Sequence, residues 1–192
     1  MTGGIATGKS TVLSFIAEAG FSVFRSDDLG KVILSPGNEG YKRAVEAFGV
    51  KILDSNGAID RKKLASLMHS DLTVKKTLES IVRPLVEPML FLELTRTGIS
   101  ESPRPWFFEA AFLYQTGAWK KYRQIWLISC RRTTQLVRLM HRDALSKEDA
   151  TRRILAHDES RAEFRPAGQV IYTDGTLADV RRMVQTVLFE LK

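Results

Sequence analysis

The apolar positions of this chain fall into runs of two periods. Helical spacing appears first at Val12, Leu13, Phe15, Ile16 and Ala19, a stripe that Gly20 is placed to end. Phe21–Arg25 then reads as a strand. Tyr41–Phe48 reads as a helix that stops at Gly49, and Asp54-Ser55-Asn56-Gly57 as a turn. Arg61–His69, Leu72–Val82 and Pro84–Thr97 read as three consecutive helices, because a proline lacks the N–H that a first helical turn leaves unused. Trp106–Ala110 and Gln124–Cys130 read as buried strands, Thr133–Arg142 as a helix and Gln169–Thr173 as a last strand. Ser146 with Asp149, and Thr176 with Asp179, resemble capping boxes and open helices running towards His157 and Leu191. Helices alternating with short apolar strands predict an α/β fold with a parallel sheet flanked by helices.

Between the start of the chain and the first helix stands G-G-I-A-T-G-K-S, residues 3–10. It fills G-x-x-x-x-G-K-[ST], with Gly3, Gly8, Lys9 and Ser10 at the fixed positions. Glycines let the backbone curl closely around an anion, and the amides from Gly4 to Ser10 then face phosphate oxygens at a helix N-terminus. Lys9 brings a mobile positive charge to the β and γ phosphates, and the Ser10 hydroxyl is the metal ligand, for Mg²⁺. A phosphate loop at the carboxyl edge of a parallel sheet predicts a P-loop kinase-like domain over residues 1–192. Residues about 56–98 form its helical acceptor-side insertion and about 133–165 its helical lid. Such a loop hangs from a buried strand. Only Met1 and Thr2 precede it, so that strand is expected to be missing through a truncated or misassigned start, and restoring it to raise thermal stability and ATP affinity.

Bulk composition narrows this picture little. The 192 residues are 44% hydrophobic, as in an ordinary globular protein. There is no run of about 18 apolar residues and no signal-peptide pattern, and Cys130 is the single cysteine. The expectation is a soluble cytoplasmic protein with no membrane partner, a monomer or small homo-oligomer. The net charge of +7 fits a highly anionic small substrate. No basic run interleaved with aromatics is present, so nucleic acid is not expected as a partner.

Asp27 and Asp28 follow the second strand, where a kinase needs a carboxylate to orient an acceptor hydroxyl and take its proton. Either also suits the start of a helix. Arg138 and Arg142 stand four apart on one helix, where like charges repel mildly unless an anion lies between them. Glu109 ends a strand, a place from which it can hold Mg²⁺ through water or serve a structural ion pair. The three histidines have no metal-ligand spacing.

The chain resembles the dephospho-CoA kinase family over nearly its whole length. The resemblance is carried by T-G-G-I-x-x-G-K-S-T at Thr2–Thr11, V-F-R-S-D at 23–27 and S-P-G-N-E-G-Y at 35–41. F-G at 48–49, N-G-A-I-D-R at 56–61, L-E-S-I-V-R-P-L-V at 78–86 and Q-L-V-R-L-M-H-R-D-A-L-S-K-E-D-A-T-R-R-I at 135–154 follow in order. It implies transfer of the ATP γ-phosphoryl group to the ribose 3′-hydroxyl of dephospho-CoA. By resemblance Gly3, Gly4, Ala6, Thr7, Gly8, Lys9, Ser10 and Thr11 bind ATP. Lys9, Asp27, Arg138 and Arg142 are catalytic, Asp27 at the acceptor hydroxyl and the arginines from the lid. The family often has D-A-D where Arg25-Ser26-Asp27 stands, and His-Pro where Arg83-Pro84 stands. Ala111-Phe112-Leu113-Tyr114-Gln115 replaces P-L-L-F-E, His157 a lid glutamine, and Ala167-Gly168 an Ala-Asp pair. Arg25 and Arg83 leave open a related kinase for another nucleoside or nucleotide. The missing strand leaves open a catalytically impaired nucleotide- or CoA-binding homologue.

Overall fold

Two units arise from the alternation of helix and strand, Met1–Val23 with Pro103–Lys192, and Phe24–Ser102. The computed structural model describes residues 1–111, 113, 117–159 and 168–191. The expectations attached to Phe112, Tyr114, Gln115 and Ala167, and the end of the lid beyond residue 159, lie outside the described residues.

The first unit is built on short parallel strands. β1 (Thr2–Gly3) lies parallel to β4 (Trp126–Ser129), with Thr2 opposite Leu127 and Gly3 opposite Ile128. β4 in turn pairs in parallel with β5 (Gln169–Tyr172), from Trp126 opposite Gln169 to Ser129 opposite Tyr172. On the other flank of β1 the Met1 amine donates to the Phe108 carbonyl at 2.6 Å, and the Met1 carbonyl accepts from Ala110 N–H at 3.1 Å. Those bonds reach β3 (Trp106–Glu109), which pairs with β2 (Ser22–Arg25). The strand expected to be missing is therefore present, in short form. Met1, Thr2 and Gly3 are each buried, and the run is bonded on both flanks.

Helix α1 (Lys9–Glu18) buries Val12, Leu13, Phe15 and Ile16 of the expected stripe, whereas Ala19 falls at the C-cap and is exposed. They meet Phe107 of β3, Trp126 and Ile128 of β4, Ile171 of β5, and Val180 and Val184 of α8 (Leu177–Phe189). Phe107 is the hinge of an aromatic row, edge-on to Phe21 at 5.7 Å and to Trp126 at 4.9 Å. Helices α6 (Arg132–Asp143) and α7 (Lys147–Glu159) share a smaller core of Leu139, Ala150 and Ile154, against which Ile5 and Ala6 pack. Thr176 and Asp179 form the full capping box expected of them, and Ser146 forms the side-chain half of its own. Ser146 Oγ accepts from Asp149 N–H at 3.1 Å, and Thr176 Oγ1 from Asp179 N–H at 3.2 Å.

The second unit is helical: α2 (Ser26–Ile33), α3 (Glu39–Phe48), α4 (Arg61–Ser70) and α5 (Leu72–Arg96). It starts well before residue 56, so α2 and α3 join the helices expected there. Asp54 Oδ1 accepts from Asn56 N–H and Ala58 N–H, which closes the expected turn. Asp60 caps α4 through Lys62 and Lys63 N–H, and Asp71 caps α5 through Thr73 N–H at 2.7 Å.

One helical expectation is overturned. The chain from Leu72 to Arg96 is one helix, not two, with Pro84 and Pro88 inside it. A proline inside a helix forfeits one backbone bond and costs about 3 kcal/mol. The two stand four apart, so their lost donors fall on one face. Leu78, Ile81, Leu90 and Leu94 are buried along the same helix, and that burial outweighs the local preference to stop. Among the described residues no helix is long and apolar enough to cross a membrane.

Candidate functional site

The loop lies wholly in the first unit, between the end of β1 and the start of α1. Gly3 is required by a close approach. A Cβ built there would lie 2.3 Å from the Ile128 carbonyl oxygen. Gly3→Ala is expected to lower the melting temperature by several degrees, since overpacking costs about 1–3 kcal/mol; an unchanged melt would contradict this packing. Gly8 has φ 88° and Ala6 has φ 56°, both in the left-handed region. Ala6 carries a Cβ there, a strain often found where backbone is shaped for a ligand.

The loop's own polar groups hold this shape. Thr7 Oγ1 donates to the Gly4 carbonyl at 2.9 Å. Lys9 Nζ donates to the carbonyls of Gly3 at 3.0 Å and Gly4 at 2.8 Å, which folds the ammonium across the loop. No acidic residue occupies the first turn of α1, so the positive end of the helix dipole is left for an anion. Ser10 is exposed in that turn, with Thr11 half-buried beside it.

Two residues to which the sequence assigned no functional role also touch the loop, although Gln135 heads the 135–154 segment of the resemblance. Gln135, buried on α6, donates from Nε2 to the Ile5 carbonyl at 2.7 Å. Thr173, 3% exposed at the end of β5, donates from Oγ1 to the Thr7 carbonyl at 2.8 Å. Its neighbour Asp174 accepts from Arg131 N–H at 2.9 Å and Thr134 Oγ1 at 2.6 Å, so it ties β5 to the start of α6. Thr134 and the Arg131 amide hold the Asp174 carboxyl below the usual carboxylate range.

The two lid arginines are each given a partner of their own. Arg138 donates from Nη1 to Thr173 Oγ1 at 2.9 Å and from Nη2 to the Thr173 carbonyl at 2.6 Å. Arg142 grips Asp143 with both Nε and Nη2, at 2.7 and 3.0 Å, and Arg153 donates to the same carboxylate at 2.8 Å. Arg142 is the main reason that the Asp143 carboxyl titrates below its ordinary range. The spacing suggested one anion between Arg138 and Arg142, whereas here one arginine backs the loop and the other closes an ion pair on the lid.

In the second unit, Asp27 and Asp28 occupy the first turn of α2, where the helix dipole favours negative charge. Asp27 is exposed, and Asp28 pairs with Lys31. Arg25 is at the N-cap position of α2, and Arg83 pairs with Glu79 at 2.7 Å on α5. In the first unit Glu109 closes β3, half-buried, near the Met1 amine.

Among the described residues no cluster of three His, Cys, Asp or Glu side chains suits a metal ion. The exposed Ser10 hydroxyl is a hard oxygen at the loop's mouth, and it fits Mg²⁺, which takes few protein ligands and keeps phosphates and waters.

Comparison with known proteins places the chain in one family. A family model described as dephospho-CoA kinase matches residues 1–179. A dephospho-CoA kinase of Geobacter sulfurreducens is 34% identical over 190 residues, covering 97% of this chain and 94% of its own. The crystal structure of TT1252 from Thermus thermophilus superposes with a TM-score of 0.71 at 30% identity, covering 100% of this chain and 95% of that one. A dephospho-CoA kinase structure from Campylobacter jejuni gives a TM-score of 0.71 at 25% identity, covering 98% and 94%.

Proposed function

This chain belongs to the dephospho-CoA kinase family, and on that footing we propose how it phosphorylates dephospho-CoA, the last step of coenzyme A synthesis. The donor is ATP and the acceptor atom is the ribose 3′-oxygen. That oxygen bonds to the γ phosphorus while the bond from the γ phosphorus to the β–γ bridging oxygen breaks, and ADP leaves. The hydroxyl proton passes to Asp27. The loop amides and Lys9 hold the β and γ phosphates, with Lys9 exchanging its bonds to the Gly3 and Gly4 carbonyls for phosphate oxygens. Ser10 holds Mg²⁺, which when bound neutralises charge on the phosphates. Arg142 reaches the transferred group from the lid once Asp143 releases it, and Arg138 contributes from beside Thr173. Closure of the lid excludes water, which limits wasteful hydrolysis of ATP. The setting is the cytoplasm, where ATP is supplied.

The observation that carries this reading is the loop itself, with two positive-φ residues curling it and Lys9 folded over its carbonyls. Incubation with ATP, Mg²⁺ and dephospho-CoA tests it. Phosphorus NMR of the product is expected to show a new monoester at the 3′ position. Phosphate at another position, or only inorganic phosphate, would overturn the proposal.

A further inference from the structure

The loop's amides need more than their own sequence to face inward. In a trans peptide the C=O and N–H point in opposite directions, and the described chain has no cis bond. The Ile5 carbonyl accepts from Gln135 Nε2 at 2.7 Å, so the Ala6 amide points away from α6. The Thr7 carbonyl accepts from Thr173 Oγ1 at 2.8 Å, so the Gly8 amide points away from β5. These are the peptides that lead into the two left-handed residues, Ala6 and Gly8. Backbone of that kind curls successive amides into an anion nest, and Ala6 adopts it against its own Cβ.

Both anchors are themselves fixed. Arg138 Nη1 donates to Thr173 Oγ1 at 2.9 Å, which leaves the hydroxyl's own proton to donate, and the Thr7 carbonyl at 2.8 Å is a much closer acceptor than the Ser129 carbonyl at 3.4 Å. Gly8 rests on Thr173, whose side chain would lie 3.1 Å from an added Cβ. Gln135 is buried on the face of α6 that carries Leu139, against which Ile5 and Ala6 pack.

We propose that Gln135 and Thr173 are positioning residues that pin the Ile5–Ala6 and Thr7–Gly8 peptides with their N–H groups aimed at the phosphates. This rests on the reading of the loop as the ATP site. It makes α6 and the end of β5 the outer wall of the phosphate site, although neither touches a phosphate through these side chains.

Calorimetry tests this with ADP and with dephospho-CoA as separate ligands, on the full chain. Gln135→Met and Thr173→Val are each expected to weaken ADP binding about tenfold or more, since a bond to a charged phosphate is lost or bent. Dephospho-CoA affinity is expected to stay within about twofold. Thr173→Ser keeps the hydroxyl and is expected to restore ADP binding. A merely structural role predicts that both affinities and the melting temperature fall together, and that result would overturn the proposal, as would unchanged ADP binding in both variants. Should Thr173→Val not fold, Gln135→Met decides on the same two affinities. If the unsubstituted chain does not bind ADP at all, the reading of the loop fails instead.

Discussion

Lys9→Ala is expected to lower turnover by about a hundredfold or more while the chain keeps its fold, as removal of a preorganised transition-state donor does. Lys9 Nζ is held 3.0 and 2.8 Å from two loop carbonyls, so the ammonium is stored at the mouth of the site rather than in bulk water. Its transfer to phosphate oxygens replaces weak neutral acceptors by charged ones, and the gain grows as charge builds on the departing ADP. Removing it leaves both carbonyls partly solvated, so the stability cost is about 1 kcal/mol or less. Steady-state turnover beside a circular-dichroism melt separates the two effects. Near-normal turnover in a folded variant would contradict the role given to Lys9.

Asp27→Asn is expected to remove transfer by about 100- to 10,000-fold, the range for a positioned general base, and to leave ATP affinity largely intact. Asparagine has the same shape and lacks only the charge and the basicity. Asp27 is exposed in the first turn of α2, so the structural loss is confined to its favourable helix-dipole term of about 0.3–1 kcal/mol. Single-turnover transfer measured beside ATP calorimetry gives the answer. A collapse of ATP binding would make Asp27 a structural residue or a metal ligand.

The elements with strong local signals were legible in the sequence. The caps at Ser146 and Thr176 and the turn at Asp54 depend on neighbours within four residues, and each forms as read, while the α1 stripe forms but for Ala19 at its end. Elements decided by distant contacts were not. Pro84 signals a helix start locally, yet burial of Leu78, Ile81 and Leu90 carries α5 through it. β1 is too short for any periodicity, and its pairing with β4 and Phe108 is invisible before folding.

The same division runs through the site. The loop announces itself, because its four fixed residue types fall together within eight positions. Gln135 and Thr173 do not, since each acts on a carbonyl about 130 or 166 residues away. The available signals were positional. Thr173 directly follows the last parallel strand, at the edge where ligands of such sheets bind, and Gln135 is a polar residue one turn from Leu139 on its buried face. The arginine pair shows the limit of spacing as a guide. Four residues apart placed both on α6, but Thr173 and Asp143 decide where each guanidinium points.

ATP consumption measured against a panel of acceptors tests the assignment most directly. The panel holds dephospho-CoA, adenosine, AMP and no acceptor, with Mg²⁺ throughout. ADP is expected to form rapidly only with dephospho-CoA, in equal amount to coenzyme A. Equal rates with every acceptor and with none, or faster transfer to adenosine or AMP, would contradict it.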